Sequence, residues 1–219
     1  MSSSTQRSKQ MHIAVDTVTD RVVAGPDVTA AQRSTDPDRY ECLFCNARLA
    51  YSPTDGNTFD YFTHESAPTC LSAGSSSKYH RVGQELISKK ACNQLPVSPR
   101  DISIDVETYV GSSSGYRIAD VLIDRPVKVV IEVVYQTSVV NLRDRLATAF
   151  EDGYTGMVAV LQNADVSAAR VERHLSRVGS IKVATIDPHR GTVEIGSVIR
   201  PETVTLARDA WDPVPAYLA

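Results

Sequence analysis

The sequence predicts an α/β domain over residues 78–199, a mixed sheet flanked by helices, preceded by a small β module with little core of its own. Three observations predict it. Apolar periodicity runs in the order helix, three strands, helix, strand, helix, strands, and helices in that order can only cover a central sheet. The 219 residues, 42% hydrophobic and 22% charged, suffice for one well-cored domain and a satellite. The segment from Tyr40 to Cys70 carries three of the four cysteines and few long apolar runs, so its fold must lean on something other than a core.

Residues 1–10 are Ser-rich and polar and are expected to be a disordered tail. A β-hairpin is expected over residues 12–24, where Ile13, Val15 and the run from Val22 to Ala24 flank the turn-forming Asp16 to Asp20. Residues 11–75 together make up the hairpin and the cysteine-rich module, with a polar linker at 35–39 and a small-residue hinge at 72–77. The first helix is predicted from Lys78 to Leu95, with Val82, Leu86, Ile87 and Ala91 on one stripe, and Pro96 and Pro99 end it. Strands are predicted at 102–110, 117–124 and 128–136, separated by the stretch 111–115 and a turn at 125–127. A second helix over 142–152 places Leu142, Leu146, Ala149 and Phe150 in register. Residues 157–161 read as a buried strand. A third helix is expected from an N-cap at Asp165 to a stop at Gly179, and strands at 181–186 and 192–199 close the sheet. The tail 200–219, with Pro213 and Pro215, is expected to be irregular.

The cluster is Cys42-x2-Cys45-x18-His64-x5-Cys70. Two cysteines two residues apart can wrap one side of a zinc ion from a tight turn, and a later loop supplies the second pair. Closing such a loop around a metal gives a core-poor segment the stability its packing lacks. Four candidate ligands leave no open position, so the expected ion is structural Zn2+. Cys92, on the first helix, reads as a small core residue.

The net charge is −3, which does not announce a nucleic-acid binder and does not exclude one, because a local basic groove can sit on an acidic protein. Lys78, Arg81, Lys89, Lys90, Arg117, Lys128, Arg143 and Arg145 concentrate positive charge mid-chain. No run of about 18 apolar residues predicts a membrane helix, and the first ten residues lack the apolar core of a secretory signal. A cytoplasmic location, with no membrane partner, is the expectation.

A second constellation lies in the central strands. Glu132 interrupts the apolar run Val129-Val130-Ile131-Glu132-Val133-Val134, where a charge needs a reason. On a strand, Glu132, Val134 and Gln136 share one face. A symmetric turn at 125–127 pairs Asp124 with Lys128 and therefore sets Asp120 opposite Glu132. Carboxylates so placed repel unless a cation sits between them, and a hard divalent ion is the natural occupant. Glu85 flanks the apolar stripe of the first helix and is expected to join them, with Lys89 one turn on. Mg2+ or Mn2+ held by Asp120 and Glu132 could orient water against a phosphodiester.

With these residues in view, the chain resembles the CoiA-like competence proteins of the Asp…Glu-x-Lys nuclease superfamily, often written PD-(D/E)XK. The resemblance covers about residues 12–162. It rests on Ala14-Val15-Asp16 with Val23-Ala24, on Tyr40-x-Cys42-x2-Cys45-x3-Leu49, on Tyr61-Phe62-Thr63-His64 with Cys70, and on His80 and Glu85 followed by Arg117-x2-Asp120 and Ile131-Glu132. It implies a restriction-endonuclease-like fold and metal-dependent cleavage or processing of DNA. Asp120 and Glu132 then match metal ligands, Glu85 a helix acid and His80 a helix-start histidine. Two residues after the glutamate, where the superfamily has lysine and this family often glutamine, stands Val134; Gln136 is two further on.

The expected function is thus a DNA nuclease in which Gln136 aims water or phosphate and His80, Lys89, Arg117 and Arg143 contact the substrate. The competing expectations are a DNA-binding or recombination-associated module that has lost cleavage, and an adaptor whose zinc unit meets a protein partner.

Overall fold

The computed structural model describes residues 10–29, 32, 38–54, 60–65, 70, 77–112, 115–136, 139–175 and 180–199. Residues 1–9 of the tail expected over 1–10, the tail 200–219, most of the hinge at 72–77 and the stop at Gly179 lie outside the described residues, and Gln10 is a strand residue rather than part of a tail.

The hairpin and the cysteine-rich segment, expected as neighbours, join into one antiparallel sheet. Its strands are β1 (Gln10–Met11), β2 (Ile13–Asp16), β3 (Arg21–Ala24), β4 (Tyr40–Glu41), β5 (Arg48–Ser52) and β6 (Tyr61–His64), in the order β1-β6-β5-β4-β2-β3. This segment does have a core, contrary to expectation. Met11, Tyr40, Leu49 and Phe62 pack with Cys42 and Cys70, and the Tyr40 and Phe62 rings lie 5.0 Å apart. Few residues supply it, but Tyr40 and Phe62 are large aromatics, which a count of apolar runs does not register. At the end of β2 the buried Asp16 pairs with Arg39 at 2.9 Å and accepts from the Val18 N–H.

Helix α1 (Lys78–Gln94) follows, with the Ser77 hydroxyl capping the His80 N–H. A single apolar stripe was expected. Instead every residue from Val82 to Ser88 is buried, because α1 lies between two sheets. Ile13, Val15, Val22 and Ala24 of the first sheet share one apolar cluster with α1 and with Val121, Ile131, Val133 and Met157 of the second. A Cβ on Gly83 would sit 2.9 Å from Val133 Cγ1 and 3.0 Å from Leu161 Cδ1, so the helix meets the second sheet at glycine distance.

That second sheet is mixed, in the order β12-β11-β10-β9-β8-β7. Strands β7 (Ser103–Ser112), β8 (Gly115–Arg125) and β9 (Val129–Val134) run antiparallel; β10 (Thr155–Leu161) and β11 (Ile181–Asp187) are parallel to β9; β12 (Thr192–Ile199) returns antiparallel. Helices α2 (Val139–Glu151) and α3 (Ala168–Leu175) cover the face opposite α1, burying Leu142, Leu146, Val171 and Leu175 against Val130, Val134 and Val158. Ser167, rather than Asp165, caps α3 by accepting from the Arg170 N–H. The α/β class, the mixed sheet and the flanking helices are as the sequence predicts.

One irregularity positions the site. The ladder pairs Val106 with Val121 and Thr108 with Ala119, and between them Glu107 has φ +49°, a left-handed conformation costly for a side-chain-bearing residue. Val106 and Val121 belong to the cluster under α1, whereas Val110 and Ala119 belong to the one under α2. Both strands therefore roll over at the step holding Glu107 and Asp120.

Candidate functional site

The first candidate centre stands at one end of the antiparallel sheet. Cys42 follows β4, and a tight turn, in which the Asn46 N–H donates to the Cys42 carbonyl, returns the chain with Cys45 on it. His64 ends β6, and Cys70 comes from the loop beyond. The ligand atoms of Cys42, Cys45, His64 and Cys70 all lie within 4.8 Å of one another. Cys42 Sγ is 3.7 Å from Cys70 Sγ, and Cys45 Sγ is 3.4 Å from His64 Nε2. Tetrahedral coordination with ordinary zinc bond lengths would set these edges at about 3.8 and ~3.6 Å. The four residues can hold a metal ion. Without one, the contact with Cys70 and then burial push the Cys42 thiol far up, since two packed sulfurs resist a second negative charge.

The second centre lies where β8 and β9 part. Their ladder ends with Val121 opposite Ile131, and the next step would set Asp120 beside Glu132, as the symmetric turn predicts. Instead of meeting a β8 carbonyl, the Val133 N–H donates to Asp120 Oδ2 at 2.7 Å. Asp120 Oδ1 lies 3.3 Å from His80 Nε2 of α1 and 3.3 Å from Arg145 Nη2 of α2. Gln84, one turn after His80, donates to the Asp120 carbonyl at 3.2 Å. Helices from both faces thus reach one aspartate at the roll in the sheet.

Glu132 is 3% exposed and Asp120 6%. Arg145 Nη2 lies 2.7 Å from Glu132 Oε2, off the line an N–H would take, so the contact is Coulombic rather than an aligned hydrogen bond. Arg145 also donates to the Ile118 carbonyl. Burial alone would raise the Asp120 carboxyl, but His80, Arg145 and the Val133 N–H hold it below its ordinary value. Glu132 moves the other way: burial, then the neighbouring Asp120, push it well above the usual range, and Arg145 offsets this only in part. The pair takes one negative charge more readily than two. A guanidinium already drawn between the two carboxylates marks this as a place that attracts a cation.

The other predicted residues are not all brought here. Glu85 turns toward the first sheet, where its carboxylate accepts from the His12 N–H. Burial pushes its pKa up to about 8. Flanking the stripe placed Glu85 on the side of α1 that the first sheet covers, so it does not join Asp120 and Glu132. Lys89 lies about 13 Å along the helix from His80 and pairs with Asp27 beside a cavity of about 280 Å3 that Arg21, Lys90, Asn93 and Val193 also line. Gln136 is exposed beyond the end of β9, so strand alternation no longer sets its face. Arg143 is exposed on α2. Arg117 lies on β8 opposite Val110, and its side chain lies outside the described residues. Cys92 is a buried core residue as expected.

Sequence reasoning missed two groups. Gln84 had a signal, since it stands four residues after His80 and so on the same face of α1. Arg145 had none beyond its charge, because its role depends on how α2 crosses the sheet. No helix among the described residues is long and apolar enough to cross a membrane. Comparison with protein-family models, with curated proteins and with solved structures found no match.

Proposed function

We propose that the chain is a metal-dependent DNA nuclease or DNA-processing protein of the CoiA-like kind, with a restriction-endonuclease-like second sheet and a structural zinc in the Cys42, Cys45, His64 and Cys70 site. The observation that carries the reading is the Asp120–Glu132 pair, buried at the parting of two antiparallel strands with a cation drawn between the carboxylates. Two buried carboxylates side by side repel unless one is protonated or a cation compensates them, and strongly perturbed acids of this kind concentrate at functional sites. Asp120 and Glu132 would hold Mg2+ or Mn2+, which supplies charge neutralisation at a phosphoryl group and a more acidic water. His80 and Arg145 keep Asp120 ionised, and Gln84 fixes its backbone. Arg145, if exchanged for the metal, is free to turn to a phosphate. Arg117 and Arg143 are the remaining candidates for the nucleic-acid backbone.

One observation favours a second reading, a DNA-binding module without cleavage. Arg145 already balances the carboxylates from within the chain, and the position two beyond Glu132 is a buried valine. Labelled single-stranded and duplex DNA, incubated with Mg2+, Mn2+ or EDTA, separates the two. The nuclease reading expects cleavage that needs the divalent ion and is abolished by Glu132→Ala. Equal, metal-independent behaviour of wild type and variant on every DNA form rejects it in favour of the binding module.

A further inference from the structure

Beside the end of α1 that reaches Asp120 lie aromatic rings that the proposed chemistry does not use. Tyr79, in the first turn of α1, is 37% exposed. Its ring centroid lies 5.7 Å from that of Tyr135 and 5.9 Å from that of His189. Three separate elements supply these rings: the start of α1, the residue after β9, and the turn between β11 and β12. Two of them stand close in sequence to residues that touch Asp120. His80, next to Tyr79, reaches Asp120 through Nε2, and Val133, two residues before Tyr135, donates its N–H to the same side chain. Tyr135 and His189 also follow the carboxyl ends of parallel strands, the end at which open α/β sheets take their ligands.

Packing accounts for part of this group, since Tyr135 rests against the cluster under α1. It does not account for an exposed tyrosine and an exposed histidine meeting each other. Arg190, next to His189, has a side chain 83% exposed and a 3.6 Å ion pair with Asp187. Exposed rings beside a cation suit one kind of ligand particularly well. Unstacked nucleobases offer a flat π-face to an aromatic ring while their phosphates meet basic side chains, whereas the bases of a duplex are stacked on each other and cannot reach the rings.

We propose that Tyr79, Tyr135 and His189 form a stacking platform for unpaired bases, which makes the site select single-stranded over duplex nucleic acid. The proposal deepens the nucleic-acid reading of the Asp120–Glu132 site and rests on it. Binding is measured in EDTA, so that cleavage plays no part, by fluorescence anisotropy of a labelled oligo(dT) and of a duplex of the same length. Tyr79→Ala should weaken oligo(dT) binding about tenfold and duplex binding by less than about twofold, Tyr79→Phe should bind as wild type, and His189→Ala should act in the direction of Tyr79→Ala. Melting curves of the variants check that each is folded, and His189, being exposed, supplies the test if Tyr79→Ala does not fold. Unchanged oligo(dT) binding in Tyr79→Ala and His189→Ala, or equal loss on both DNA forms, overturns the platform. A wild type that binds oligo(dT) through Tyr79 yet cuts nothing with Mg2+ upholds the platform and removes the nuclease. A wild type that cuts duplex and single strand at one rate, unaffected by Tyr79→Ala, does the reverse. No binding to either form removes both.

Discussion

At the scale of single residues, the carboxyl groups divide by environment. Asp120 and Glu132 were legible because an acid inside Val129–Val134 is conspicuous and a symmetric turn fixes the register. Glu85 was legible as a buried acid but not as to where it points, since one helical wheel cannot say which of two faces a second sheet will cover. Its burial makes a direct test. An acid whose folded pKa is raised favours the fold while protonated, so its contribution is full below the unfolded value of 4.5 and is lost as pH rises toward about 8. Wild-type melting temperature should therefore fall across that interval, and Glu85→Gln, which mimics the protonated acid, should flatten the profile. Parallel profiles for the two proteins would mean that Glu85 does not titrate there. Val134 is the other telling residue. It is 1% exposed and packs with Leu142 and Leu146 under α2, so a lysine placed there would bury a charge. Val134→Lys should lose at least ~2 kcal/mol in urea unfolding. A variant of unchanged stability would show that the lysine escapes burial.

At the scale of elements, the helices and strands of the second domain lie close to where periodicity sets them, because each has one clear apolar face or run. Helix α1 departs from this pattern. Its burial from Val82 to Ser88 includes Gly83, Gln84, Glu85 and Ser88, which an apolar stripe does not mark. Gly83 reports how tightly it is held. Alanine is the better helix former by about 1 kcal/mol, yet its Cβ would press on Val133 and Leu161. Gly83→Ala should therefore destabilise by ~1 kcal/mol or more, measured by denaturant unfolding; stabilisation would show that the contact relaxes freely. The first sheet was only partly legible, because its strands are short and pair across segments far apart in sequence, such as Met11 with Phe62. The grouping of Cys42, Cys45, His64 and Cys70 was legible from spacing alone. Purified protein should carry about one zinc per chain, and Cys70→Ser should lose it, as stoichiometric metal analysis would read. Metal-free native protein would refute the site.

At the scale of the whole molecule, the expected division into a zinc module and an independent α/β domain meets a shared core. Because α1 is packed by both sheets in one apolar cluster, loss of the zinc should lower the melting temperature of a single cooperative transition rather than release the first sheet alone. Two separate transitions, the second unmoved by chelation, would argue for independent units. The same arrangement places the candidate site. With α1 on one face of the second sheet and α2 on the other, His80 and Arg145 converge on Asp120 only where β8 and β9 part, a meeting that depends on packing and is written in no local pattern. Whether the Asp120–Glu132 pair is a cation site or a lasting ion pair with Arg145 is most directly decided by Mn2+ binding, followed by electron paramagnetic resonance on wild type, Glu132→Ala and Arg145→Gln. The nuclease reading predicts about one Mn2+ per chain in the wild type, loss of it in Glu132→Ala, and tighter binding in Arg145→Gln, where the competing guanidinium is gone. Absence of Mn2+ binding, or binding that Glu132→Ala leaves unchanged, would contradict it.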